Sequence, residues 1–379
     1  MPDRRVMIVA GEASGDLHGA RLVQAMHDLD PTLAFCGIGG RNLRQAGVQC
    51  LADVADMGVV GLTEVTRKLS TILRARRDLR RILADAPPDL LILIDYPDFN
   101  LPLAGIARTR GIPVLYYISP QIWAWRKGRV SVIRKCVDHM AVILPFEKPL
   151  YDRAGVPATF VGHPLLDALG DTPAPPEARR MFQLAEGVTT VALLPGSREG
   201  EARKLLPEML GAARIIAREL PPVQFVLPLA DSLDPEVVEG IVRRQEIAVR
   251  IVRNRIYDVL TAADVALVAS GTATLETALM NLPMVVVYKV SPLSYWVGRA
   301  FIHVDHISLV NIIAGKTVVP ELIQGEAQAN RMAVEVIDIL SRKSRKLRMH
   351  EELSQIRDRL GEPGAAAKTA ALAMSLLNA

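Results

Sequence analysis

The chain is written as short, unbroken apolar runs set between segments of helical spacing. Runs at residues 6–10, 111–119, 137–144, 189–194, 223–229, 248–252 and 265–269, and the run opening 89–100, have the length and β-branched content of strands covered on both faces. Three of them lead into the same sequel, a small-residue turn and then a helix-forming stretch: GEASGDLHGARLVQAM at 11–26, PGSREGEARKLLPEML at 195–210 and SGTATLETALM at 270–280. Strand, tight turn and helix, repeated in both portions of the chain, predict an α/β protein with two doubly wound halves. GDTPAPP at 170–176 is the only Pro-rich spacer, so the division expected is 1–168, a linker 169–187, 188–340, and C-terminal helices 341–379 that return to brace the first half.

Composition narrows this picture. Half of the 379 residues are hydrophobic but only 4% are aromatic, so aliphatic side chains carry the core, as in parallel sheets under helices. A net charge of +4 suits anionic ligands or a membrane surface, and without an aromatic-rich basic module it is too weak to indicate nucleic acid. Cys36, Cys50 and Cys136 are isolated, with no metal-ligand spacing; reduced thiols and a cytosolic setting are expected. The first apolar run is too short for a signal-peptide core and none reaches bilayer length, so any membrane contact is expected to be peripheral.

Candidate chemistry gathers at the turns. Ser270-Gly271-Thr272 carries almost no side-chain bulk, so an anion could approach the unpaired N–H groups of the helix that follows; Glu276, one turn on, is spaced for a sugar diol. Taken alone, the stretch reads more simply as an ordinary helix start with Ser270 and Thr272 as caps. Arg198, near Glu199 and Glu201, could meet a diphosphate or form a surface ion pair. In the first half the turn is acidic: Glu12 argues for hydroxyl ligands, Asp16 for self-capping, and His18 is a proton donor or a packing residue. Asp95 and Asp98 flank Pro97 at a strand end; Asp95 is expected to cap the following turn and Asp98, further out, is chosen as a base, with loop capping as the competitor.

Residues 63–83 form an amphipathic segment with Leu69, Ile72 and Leu73 on its apolar side, Arg76 interrupting it and further arginines at its flanks. It reads as a packed helix or an interfacial one. Trp123 and Trp125, beside Arg126, Lys127 and Arg129, could hold an acyl chain or sugar near an anion, or be packing residues. Asn311 and Lys316 fall in a loop-like setting.

Read together and in order, GEASGD (11–16), SPQIWAWR (119–126), VGHPLLD (161–167), LLPGSREGE (193–201), SGTATLE (270–276) and LVNIIAGKTVVPELIQ (309–324) resemble the lipid-A-disaccharide synthases, glycosyltransferase family 19. The resemblance implies a GT-B architecture, two Rossmann-like domains facing a cleft, the first for acceptor and the second for donor. It implies transfer of 2,3-diacylglucosamine from UDP to the 6-hydroxyl of 2,3-diacylglucosamine 1-phosphate, with no metal or other cofactor, by an enzyme peripheral on the cytoplasmic face of the inner membrane. Asp98 takes the role of base, with Glu12 and Ser14 lining its site. Arg198, Glu201, Ser270, Gly271, Thr272, Glu276 and Asn311 fall on the donor side. Leu69, Ile72, Leu73, Arg76, Trp123 and Trp125 become the membrane or acyl contacts, and Arg126, Lys127 and Arg129 candidates for the acceptor phosphate. Whether the chain is a homodimer stays open. A UDP-N-acetylglucosamine 2-epimerase shares the two-domain plan and is the alternative enzyme; a non-catalytic binding scaffold would leave the convergent acids and cations idle.

Overall fold

The computed structural model describes residues 4–53, 62–124, 128–170, 172–291 and 305–379. These form two compact units, residues 1–167 with 360–379, and residues 168–359.

In the first unit, strands β1 (Arg5–Ala10), β2 (Ala34–Gly39), β3 (Gln49–Asp53), β4 (Leu90–Ile94), β5 (Val114–Tyr117), β6 (His139–Val142) and β7 (Ala158–Phe160) make one parallel sheet in the order β3-β2-β1-β4-β5-β6-β7. Alternate residues of each strand feed opposite faces. Met7, Val9, Leu91 and Leu93 join Leu79, Leu83 and Leu103 in one core. Val6, Ile8, Leu90 and Ile92 join Leu22, Met26, Ala370 and Ala373 in the other. Burial on both faces is why the central runs 6–10 and 90–94 are unbroken and apolar.

The helix Leu62–Asp85 sends Ala75, Leu79 and Leu83 into the first of these cores, a stripe four residues apart. Ile72 and Ile82 pack against its edge, while Leu73 stays 54% exposed. From Ile72 onward one face of this helix is therefore packed, while its basic side and Leu73 are exposed; the side chain of Leu69 lies outside the described residues.

The second unit holds β8 (Thr189–Leu194), β9 (Val223–Leu229), β10 (Val249–Arg253), β11 (Val265–Ala269), β12 (Met284–Tyr288) and β13 (Glu321–Ile323), parallel in the order β10-β9-β8-β11-β12-β13. In both sheets the strand order reverses direction beside the first strand, between β1 and β4 and between β8 and β11. Ligands of open α/β sheets bind outside the carboxyl ends at such a point.

Two segments belong to different units from those their composition suggests. The Pro-rich stretch runs at once into a helix, Pro175–Met181, that is part of the second unit: Ala178 is fully buried and Arg179 donates to the Ala262 carbonyl and to Asp264. The helix Lys343–Arg359 also stays there, with Arg357 donating to the Leu279 carbonyl. The return to the first unit begins at Leu360, whose carbonyl accepts the His163 N–H at 3.0 Å; the Gly364 N–H then donates to Asp167.

Candidate functional site

In the second unit two loops meet at the switch point. After β11 the Ser270 N–H still pairs with Val287 O at 2.9 Å; the chain then turns at Gly271, with φ 151° and ψ −159°, and enters the helix Thr272–Leu279. That backbone suits only glycine, and a β-carbon there would project into open space. Among the described residues no side chain caps this helix: the Ser270 hydroxyl donates instead to Ile307 O at 3.2 Å. The capped-helix reading thus fails for Ser270, and first-turn N–H groups remain without a side-chain cap. After β8, Arg198 precedes the helix Glu199–Glu219 and pairs with Glu201 at 3.3 Å, its side chain 64% exposed.

Arg198, Glu201, Ser270, Gly271, Thr272 and Glu276 line a single cavity of about 520 Å³. Burial raises the Glu276 carboxyl above its usual value, offset by the Tyr257 hydroxyl, which donates to it at 3.1 Å. Asp231, Asn254 and Arg255 also line the cavity, and sequence reading missed them. The available signal was positional, since they follow the carboxyl ends of β9 and β10.

Asn311 does not line this cavity. The expected loop is a six-residue helix, Leu309–Ala314, and Asn311 within it is fully buried. Its carbonyl oxygen accepts the N–H groups of Val318 and Val319, and its amide donates to Val319 O and Glu321. With its amide engaged on both sides it has nothing left to offer a ligand directly. Lys316, beyond the helix, pairs with Glu352.

In the first unit the corresponding loops carry acids. Glu12, exposed, stands just before the helix Ala13–Leu29, and Ser14 is exposed in its first turn. Asp16 does not cap its own helix. Its buried carboxylate accepts the N–H groups of Gly40, Asn42 and Leu43 and the Asn42 side chain, capping the helix Arg41–Gln45. Across the switch point Asp95 and Tyr96 are both left-handed, with φ 45° and 46°. The segment is held by the Tyr116 hydroxyl and the Asn100 amide, both donating to Asp95 O, and by Gly11, where a β-carbon would lie 2.2 Å from the Tyr96 ring. Pro97 has a definite structural role. It starts the helix Pro97–Arg108, where its fixed φ and missing N–H fit, and Asp98 sits in that helix's first turn.

The acids differ in environment. Burial, and then the charge of Glu12, push the Asp95 carboxyl up to about 6. Asp98 is 67% exposed and accepts a hydrogen bond from the largely buried Arg129 guanidinium. Burial thus falls on Asp95, whereas Asp98 is exposed and paired with Arg129. Glu12 and Asp98 both raise the Tyr96 phenol, after burial, so the acids share one neighbourhood. His18 is pushed down to about 4 by burial and then by Arg21, which leaves it neutral at pH 7 and unsuited to donate a proton.

Trp123 is half-buried with its ring edge-on to Phe146 at 5.2 Å. Arg76 is half-buried; Trp125, Arg126 and Lys127 lie outside the described residues. Among the described residues no helix is long and apolar enough to cross a membrane.

Comparison with known proteins gives the family and the fold. The sequence matches the family model described as Lipid-A-disaccharide synthetase over residues 6–374. It is 58% identical over 378 residues to a lipid-A-disaccharide synthase of Syntrophus aciditrophicus, covering 100% of this chain and 99% of the relative. Among solved structures it is similar to CalG4, the calicheamicin glycosyltransferase, with TM-score 0.63, 15% identity and coverage of 100% and 99%. It is equally similar to a UDP-GlcNAc 2-epimerase from Neisseria meningitidis bound to UDP-GlcNAc, with TM-score 0.64, 13% identity and coverage of 99% of each chain. At such identities the structures speak to fold alone, the two-domain α/β GT-B fold.

Proposed function

The chain belongs to the lipid-A-disaccharide synthase family, glycosyltransferases that make the lipid A disaccharide, and from that premise we propose how its residues divide the reaction. The donor is UDP-2,3-diacylglucosamine, held by the second unit. The observation that carries this is the convergence of Arg198, the Ser270-Gly271-Thr272 turn and Glu276 on one cavity. Uncapped N–H groups and a guanidinium suit a diphosphate, and a carboxylate one turn along the helix suits a ribose diol. The same groups stabilise the charge that grows on UDP as the glycosidic bond breaks.

The acceptor is 2,3-diacylglucosamine 1-phosphate, held by the first unit. Asp98 takes the proton of its 6-hydroxyl as that oxygen attacks the anomeric carbon from the face opposite UDP, which inverts the centre to the β-1,6 linkage. The Arg129 pairing orients the Asp98 carboxylate, as a proton acceptor requires. Glu12 and Ser14 hold sugar hydroxyls beside it.

Both substrates are acylated. Each methylene withdrawn from a bilayer costs roughly 0.8 kcal/mol, so the enzyme works at the membrane surface. Exposed Leu73, with Arg74, Arg77, Arg80 and Arg81 around it on the helix Leu62–Asp85, is the contact we propose, at the cytoplasmic face of the inner membrane.

UDP release is the deciding measurement. In detergent micelles it should require both acylated sugars; UDP released as fast from donor alone would refute the transferase reading, and UDP-ManNAc formed from UDP-GlcNAc would return the epimerase.

A further inference from the structure

The hydroxyl of Ser270 leads out of the donor cavity to a network the reaction itself does not use. Ile307 O accepts that hydroxyl at 3.2 Å. The next peptide N–H, of Ser308, donates to Glu321 Oε1 at 3.0 Å, and the Ile307 N–H donates to Oε2 at 2.9 Å. The Asn311 amide adds a third donor to Oε1 at 2.8 Å. Glu321 is anchored on β13, where it pairs in register with Val286 of β12.

We propose that Glu321 is a positioning residue for the donor turn, aiming the Ile307 carbonyl at Ser270. The physical reason is the planar trans peptide: Ile307 C=O and Ser308 N–H belong to one unit and point in opposite directions. Drawing the N–H onto Glu321 therefore turns the C=O away from it, towards Ser270. A second N–H, from Ile307, makes the grip two-pronged, and a carboxylate has acceptor sites for all three donors. Asn311 braces the clamp from behind, its amide fixed by Val318 and Val319. Ser270 thus stays committed to Ile307, and the adjoining helix start keeps its N–H groups open to an anion. This gives Asn311 and Glu321 roles at the donor site without contact with the ligand.

The inference rests on the reading of that cavity as a UDP site, and a double-mutant cycle separates the two. UDP binding is measured by calorimetry on the full chain as wild type, Glu321→Gln, Ser270→Ala and the double variant. Glutamine offers one acceptor and sets an NH₂ against the peptide donors. We expect each single change to raise the UDP Kd about tenfold, and the double variant to be no more than about twofold weaker than the weaker single one. The KM for the acceptor should not move. Should Glu321→Gln fail to fold, Glu321→Asp, which keeps the charge but shortens the reach, takes its place in the cycle. A Glu321 variant that binds UDP as wild type does, or effects that multiply in the double variant, overturns the proposal alone. A wild-type chain that does not bind UDP overturns the donor reading and this proposal with it.

Discussion

The two units use one winding plan with different side chains at the switch point. In each, the first strand lies beside the strand that starts the other direction of winding, and the loops after both strands meet. In the first unit those loops carry Glu12, Asp95 and Asp98; in the second they carry Arg198 and the Ser270–Thr272 turn. Even the helix starts differ. The first has an exposed glutamate at its head, which offsets the positive end of the helix, whereas the second has Gly271 there and leaves it unmasked. Topology thus says where a ligand sits, and a few side chains at that spot say whether the ligand brings a proton or a negative charge.

That contrast can be broken at five places. The strongest is Asp98→Asn, which should lower turnover about a thousandfold while UDP affinity is unchanged. Turnover within a few fold of wild type would remove Asp98 as the base. Arg198→Ala should do the reverse, raising the UDP Kd about a hundredfold in calorimetry, the size of a charge-assisted hydrogen bond to a diphosphate.

Asp95→Asn tests the buried acid through stability. A carboxyl held near 6 when folded and near 4 when unfolded keeps its proton longer in the native state, so stability falls as pH rises through that window. The asparagine variant should equal wild type at pH 4 and be about 2 kcal/mol more stable at pH 7.5 by denaturant titration. Equal stability at both values would contradict the assigned environment.

Gly271→Ala should raise the UDP Kd about tenfold, through backbone strain and through bulk added to a turn that lines the donor cavity, since the methyl meets no protein atom within 4 Å. Smallest of all, Leu73→Ser should reduce retention on liposomes of anionic lipid about threefold, the loss of one exposed apolar contact among several cationic ones. No change in retention would assign that face to solvent.

Much of this was legible in the residues. Strands 189–194, 223–229 and 265–269 match the structure to the residue, because a strand covered on both faces is mostly apolar and stops where the turn begins. Six of the seven donor-side residues read from the sequence share one cavity, since each lies just beyond a strand's carboxyl end or one turn into the next helix. The setting of Asn311 was read as a loop because a six-residue helix is too short to show a period. Asp16 was misread because its partners lie 24 to 27 positions along the chain.

The sequence by itself determined the alternation of strand and helix, the doubly wound halves and the blocks that carry the family. These are local patterns, set by periodicity and turn chemistry within a few residues. Only the tertiary structure decided which acid is buried and which is paired with Arg129, where Asn311 and Glu321 spend their hydrogen bonds, and that the chain re-enters the first unit at Leu360. Those outcomes depend on desolvation and on partners far apart along the chain, and neither is written into any short stretch of residues.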